Sequence, residues 1–220
     1  MTIRAASTFA SALALALLGS APARAQPDAG ELPATFTSDR PGFANTTGVA
    51  ARGRLTTEVG LGASFDDGSQ GLSFPNLSMR TGVFEWLELR VRGPGAAGVF
   101  DDGAGDRFGL TDPSLGFKVG GQLHPTLAIS SVWEVSAPIG TEGFGAPEAT
   151  FFADLQADWN FWGPLTLTPN VVASVLAAPD PTSGETTRFF EGGFSLKLTW
   201  AILDVLAVFV QGYALGAEDV

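Results

Sequence analysis

From residue 54 onward the dominant pattern along the chain has period two, the spacing at which strand side chains change face. In residues 54–64, Leu55, Thr57, Val59, Leu61 and Ala63 share one face, and Thr56, Glu58, Gly60, Gly62 and Ser64 the other. Residues 76–83 set Leu77, Met79, Thr81 and Val83 against Asn76, Ser78, Arg80 and Gly82. In 87–92, Leu87, Leu89 and Val91 alternate with Glu88, Arg90 and Arg92. Leu115, Phe117 and Val119 then oppose Ser114, Gly116 and Lys118, and Leu127, Ile129, Trp133 and Val135 oppose Thr126, Ala128, Ser130 and Glu134. The most regular stretch, 150–161, sets Phe151, Ala153, Leu155, Ala157, Trp159 and Phe161 against Thr150, Phe152, Asp154, Gln156, Asp158 and Asn160. Leu165, Leu167, Val171, Ala173 and Val175 face away from Thr166, Thr168, Asn170 and Ser174; Phe190, Phe194, Leu196, Leu198 and Trp200 face away from Glu191, Ser195, Lys197 and Thr199.

Charge separates the two faces. Every charged residue at an alternating position lies on the second: Glu58, Arg80, Glu88, Arg90, Arg92, Lys118, Glu134, Asp154, Asp158, Glu191 and Lys197. A soluble sandwich alternates too, but its polar face is the outside and is rich in Lys and Glu. Here that face is lean in charge, with many Gly, Ser, Thr and Asn, which suits an interior of mutually satisfied polar groups. The charge-free face then meets lipid, where an Arg or Lys at mid-depth costs roughly 2–4 kcal/mol. The pattern predicts an all-β protein, a transmembrane antiparallel up-and-down β-barrel of about 10–12 strands when complete, about nine of them within this chain.

The connections fit. Short ones at 84–86, 121–125 and 162–164 alternate with longer Gly/Asp/Pro-rich ones at 66–72, 93–109, 138–148 and 177–187. Short turns on one side and long loops on the other are the habit of outer-membrane barrels. Trp86, Trp159, Trp162 and Trp200 fall at the short-turn ends, where an interfacial aromatic girdle belongs. Residues 198–217 carry only Asp204 as a charge and are apolar enough for a membrane helix. A lone helix would leave the other segments unexplained, so the expectation is a turn at 201–204 and a ninth strand over 205–213. Single-chain bacterial barrels have even strand numbers, and an unpaired edge in lipid is costly. The odd count therefore predicts either a fragment lacking closing strands or a different closure.

The N-terminus reads as a cleaved signal peptide over 1–25: Arg4, an apolar run over 9–18, and Ala23-Arg24-Ala25 before Gln26. Residues 26–53, with Pro27, Pro33 and Pro41 and no sustained period, predict an irregular lead-in, periplasmic or plugging the lumen, before the barrel at 54–220. The 220-residue chain has a net charge of −11, which disfavours nucleic acid. With no Cys and a single His it offers no thiolate or His-rich metal site.

Two short motifs stand out: Ser38-Asp39-Arg40-Pro41-Gly42-Phe43, and Asp112-Pro113-Ser114-Leu115-Gly116-Phe117-Lys118. With Ser136-Ala137-Pro138-Ile139-Gly140 they resemble the transporter-like, meta-pathway phenol-degradation family of outer-membrane β-barrels. The resemblance spans most of residues 36–213. It implies passage of hydrophobic, often aromatic compounds, with Asp39, Arg40, Pro41, Asp112, Gly116 and Lys118 as the matching positions. It brings no catalytic residues.

Candidate chemistry is sparse. His124 precedes Pro125 in an expected turn, a poor place for a general base. Asp154 and Asp158 face inward roughly 13 Å apart along one strand, too far to share a proton, and are expected to hydrogen-bond nearby Arg or Lys. Asp66-Asp67-Gly68 and Asp101-Asp102-Gly103 with Asp106 lack the EF-hand spacing and read as solvated turns. Arg80, Arg90 and Arg92 either form a basic ladder that draws anions or pair with Glu58 and Glu88 to fill the interior; pairing is favoured, because small barrels are filled by side chains. The expectation is a non-enzymatic channel in a Gram-negative outer membrane, without cofactor or metal, in contact with lipid, lipopolysaccharide and small hydrophobic solutes. The alternatives are a surface-interaction barrel without flux and a soluble periplasmic barrel for an apolar ligand.

Overall fold

The alternating segments become strands of one antiparallel sheet in the computed structural model, which describes residues 45–66, 69–101, 105–180, 183–203 and 206–219. The expected signal peptide, the lead-in up to residue 44 with Asp39, Arg40 and Pro41, and the acidic-turn residues Asp67, Gly68, Asp102 and Gly103 lie outside the described residues. In chain order the strands are β1 (Leu55–Asp66), β2 (Ser69–Phe84), β3 (Leu87–Arg92), β4 (Ala96–Asp101), β5 (Arg107–Leu110) and β6 (Ser114–His124). They continue with β7 (Leu127–Ser136), β8 (Phe151–Trp162), β9 (Leu165–Pro179), β10 (Thr186–Leu203) and β11 (Leu206–Asp219). The sheet runs β11-β10-β9-β8-β7-β6-β3-β2, with β1 on the other edge of β2.

Among the described residues eleven strands replace the expected nine. The additional pair, β4 and β5, occupies 93–109, which the sequence pattern left as one long loop. β4 pairs with residues 69–73 of β2 and so prolongs the line of β3, while β5 pairs with β4 and leads into β6. Pro94 and Pro113 lie in the two breaks, where the absence of a proline N–H interrupts a ladder. Across the breaks, the Thr111 N–H donates to the Gly95 carbonyl at 2.8 Å and the Gly95 N–H to Thr111 Oγ1 at 2.9 Å. The meander therefore has nine lines, two of them broken.

Other boundaries move too, β11 running to Asp219 beyond the expected end at 213 and the 177–187 connection shrinking to 180–185. The connection expected at 66–72 shrinks to residues 67 and 68, because β2 already starts at Ser69. Leu72 and Phe74 point outward out of phase with Leu77 and Met79, and a bulge between Gly60 and Gly62 absorbs the slip beside Pro75, so no single alternating template spans β2. β10 likewise runs to Leu203, through the turn expected from residue 201.

The sheet is inside-out relative to a soluble core. Among the described residues only Val132 and Ala177 are buried hydrophobics, whereas sixteen polar or charged residues are buried. Leu61, Leu115, Leu155, Phe151 and Phe194 on the charge-free face are exposed, and its other members are exposed or half-buried. Burial of apolar area cannot hold such a sheet together in water; it needs an apolar solvent outside, where the strands satisfy their own backbone groups. That geometry removes the soluble apolar-ligand barrel, whose apolar face would have to point inward. β1 and β11 end the run of long strands, β5 ends its own short branch, and no register joins β1 to β11 among the described residues.

Candidate functional site: a polar interior crossed by the N-terminal segment

Register sets the interior out as rungs, each strand giving one inward residue per rung. In one rung Arg80 lies opposite Arg90, Arg90 opposite Gly116 and Gly116 opposite Glu134. Two like charges side by side are unfavourable unless acids of the same and neighbouring rungs interleave. They do: Arg80 Nη2 is 2.9 Å from Glu58 and Nη1 3.7 Å from Glu88, while Arg90 Nε is 3.7 Å from Glu88 and 3.5 Å from Glu134. Arg92 closes the series on Glu134 at 3.1 Å and is the most accessible member, its side chain 41% exposed. The result is an alternating chain Glu58–Arg80–Glu88–Arg90–Glu134–Arg92, in which every cation has an anion beside it. This is pairing that fills the interior, not an open basic ladder.

Three motif positions acquire physical roles. A Cβ on Gly116 would lie 2.2 Å from the Trp133 carbonyl and 2.5 Å from Glu134 Cγ, so the missing side chain is what lets Arg90 reach Glu134 across the intervening strand. Asp112 accepts from the Gly140 N–H through Oδ1 and from the Ala146 N–H through Oδ2, both at 2.7 Å, and ties the long 137–150 connection to the mouth of the sheet. Lys118, fully buried, donates from Nζ to the carbonyls of Thr46 and Gly48 at 2.8 and 3.1 Å.

Those last contacts belong to a segment, residues 45–53, that crosses the inner face sideways. Asn45 Nδ2 donates to Asp154 Oδ2 at 2.6 Å, and the Thr47 N–H and Oγ1 donate to Asp158 Oδ2 at 2.9 and 2.6 Å. Further along, the Ala50 N–H donates to Glu88 Oε2 at 2.6 Å and the Gly53 N–H to the Gly82 carbonyl at 2.8 Å. The segment thus passes from β8 over β6 and β3 to β2 before entering β1. Asp154 thus accepts from this segment, and Asp158 from this segment and from Thr168 Oγ1. Gly82 leaves the room it needs: a Cβ there would stand 2.0 Å from the Ala50 carbonyl oxygen. Gly82→Val is accordingly expected to lift the segment and to speed tryptic cleavage at Arg52 in the folded protein by about tenfold, the factor for a lost contact of about 1.4 kcal/mol. An unchanged cleavage rate would mean the segment is not held at Gly82.

The remaining expected residues are placed as follows. Glu191 and Lys197 are half-buried on the inner face of β10. His124 ends β6, with Nδ1 3.0 Å from Thr126 Oγ1 at the exposed turn. Trp86, Trp159, Trp162 and Trp200 are exposed, and all sit at the short-turn ends of β2–β3, β8 and β10. Phe84 stacks on Trp86 at 5.4 Å and Phe161 lies tilted against Trp159 at 5.5 Å, which widens the aromatic band. Sequence reasoning put Ser130, Gln156, Thr168, Asn170 and Ser195 on the polar face but singled none of them out, because they carry no charge; all are buried.

A polar, ion-paired inner face and an apolar outer face on one antiparallel meander define a membrane-spanning β-barrel sheet. The chain belongs to the family described as "Putative MetA-pathway of phenol degradation", whose model matches residues 38–219. Among solved structures it is similar to the crystal structure of Pseudomonas aeruginosa OccK5 (OpdH), at 14% identity and a TM-score of 0.31, over 77% of this chain and 55% of that one. It thus spans little more than half the length of that protein. No curated protein matches.

Proposed function

We propose that the protein is an outer-membrane channel for passive passage of small hydrophobic or aromatic molecules, exported through its N-terminal signal peptide, with residues 45–53 closing the interior at rest. The observation that carries this reading is the crossing segment. It is irregular backbone, held over the polar face by side chains of β3, β6 and β8. Such a segment can leave and return at the cost of a few hydrogen bonds, each worth about 0.5–1.5 kcal/mol net, or somewhat more where the partner is charged. Family membership supports the solute class. No catalytic role is proposed, and the outer partners are lipid and lipopolysaccharide at the apolar band and acidic connections.

The test uses the full-length protein in liposomes, with uptake of phenol, toluene and glucose followed side by side. Asp154→Ala with Asp158→Ala removes three of the bonds to the segment and is expected to raise phenol and toluene flux by about tenfold. A heat-dependent gel shift verifies that the variant is folded. Absence of flux from both proteins, each folded, overturns the proposal.

A second reading has its own observation. The ion-pair chain from Glu58 to Glu134 is almost wholly buried, as a filled interior requires. A structural barrel that presents its loops to a partner needs no more than that, and it predicts no flux from either protein.

A further inference from the structure

Beside the charged rungs lies one of a different kind. Ser130 on β7 pairs with Gln156 on β8, Gln156 with Asn170 on β9, and Asn170 with Ser195 on β10. Four neighbouring strands therefore present four uncharged hydrogen-bonding side chains in one row about 14 Å long, at the ordinary strand spacing. All four are buried, at 3, 1, 0 and 4% exposure. Ser130 Oγ, both Gln156 amide atoms, Asn170 Oδ1 and Ser195 Oγ make no hydrogen bond. Buried amides and hydroxyls without partners cost about 1–3 kcal/mol per group. Arg80, Glu88, Arg90 and Glu134 in the charged rungs also carry unbonded atoms, but their side chains are compensated by ion pairs, which this uncharged row lacks.

The surroundings define what the row would hold. Gln156 lies between Asp154 and Asp158 on the inward face of β8, and these are the acids that anchor Asn45 and Thr47. The crossing segment therefore bridges Gln156 like a strap. Two flanking carboxylates disfavour an anion. Adjacent amide and hydroxyl groups, each able to donate and accept, match a hydroxyl, which does both through one oxygen. Beyond Asp158, toward the short turns, a cavity of about 400 Å³ lined by Thr46, Gln122, Asn160, Thr166 and Lys197 among others opens beside the strap.

We infer that Ser130, Gln156, Asn170 and Ser195 form a binding site for a small, uncharged, hydroxyl-bearing solute under the Asn45–Thr47 strap. The inference rests on the passage reading for the solute's route, so binding is measured apart from flux. Phenol, toluene and benzoate serve as probes for the full-length protein in detergent by calorimetric titration, and the same three for flux in liposomes. Phenol is expected to bind at least tenfold more tightly than toluene, and benzoate not to bind. Gln156→Leu and Asn170→Leu should each weaken phenol binding by about tenfold, the worth of one hydrogen bond of about 1.4 kcal/mol.

A purely structural role moves a different readout. The Gln156 side chain makes no hydrogen bond and that of Asn170 only a long one, from Nδ2 to the Thr168 carbonyl at 3.4 Å. Apolar replacement of such buried amides leaves stability unchanged or raised, so the heat-shift temperature on gels should hold or rise in both variants while binding falls. Phenol affinity equal to toluene's, or unaltered in both folded variants, overturns the site. Flux that persists without saturation and without selectivity for phenol would overturn the site while leaving the passage reading standing. Tight phenol binding without any flux would overturn the passage reading and leave the site.

Discussion

Replacing Arg90 by methionine should destabilise the folded protein by about 3–5 kcal/mol, the usual cost of deleting one partner from a buried ion pair. The magnitude follows from what is left behind. Glu88 and Glu134 both face Arg90, and both are buried. Without the guanidinium, Glu134 keeps Arg92 and Glu88 keeps Arg80 and the Ala50 N–H, but the two carboxylates are no longer separated by a cation. The measurement is urea unfolding from lipid vesicles, with the heat-dependent gel shift as a second probe. Arg90→Met combined with Glu134→Leu should recover more than half of the loss, because the second change removes the stranded charge. A loss below about 1 kcal/mol for the single variant would mean that water reaches the rung and screens it.

Leu155→Arg should cost roughly 2–4 kcal/mol in a bilayer. Leu155 stands near the middle of β8, 58% exposed on the apolar face, opposite Ser131 and Val171. On the surface of a soluble protein the same substitution at so exposed a position would fall within about 0.5 kcal/mol of neutral. The two environments therefore predict different results from one variant. Unfolding from lipid vesicles reads the difference, with Leu155→Phe as a control expected to stay near wild type. Indifference to the arginine would remove lipid from the outer face and with it the membrane-spanning reading.

Both predictions use features of unequal visibility. Leu155 was legible as outward from local sequence, since alternation at 150–161 and the absence of charge from one face need only the two-residue repeat of a strand. Arg90 was legible as inward, and Glu88 was named as a neighbour. Glu134 as its second partner was not, because β3 and β7 lie on either side of β6, and the contact exists only through the gap at Gly116. The strands β4 and β5 escaped notice because they are short, Gly-rich and separated from their parent lines by prolines, so neither shows a full alternating period.

By itself, the sequence determined that the fold is all-β, which face of each strand carries charge, and that the charge-free face must meet an apolar medium. Those properties are local: they follow from side-chain alternation and from the cost of an ion in hydrocarbon. Tertiary structure alone decided which inward residues share a rung, and hence that Arg80 and Arg90 are interleaved with Glu58, Glu88 and Glu134. It also decided that residues 45–53 lie across the interior on Asp154, Asp158, Lys118 and Glu88, and that Ser130, Gln156, Asn170 and Ser195 line up. The reason is register. A shift of one residue between two strands leaves every composition and nearly every local pattern intact, yet it exchanges the faces and every neighbour on them.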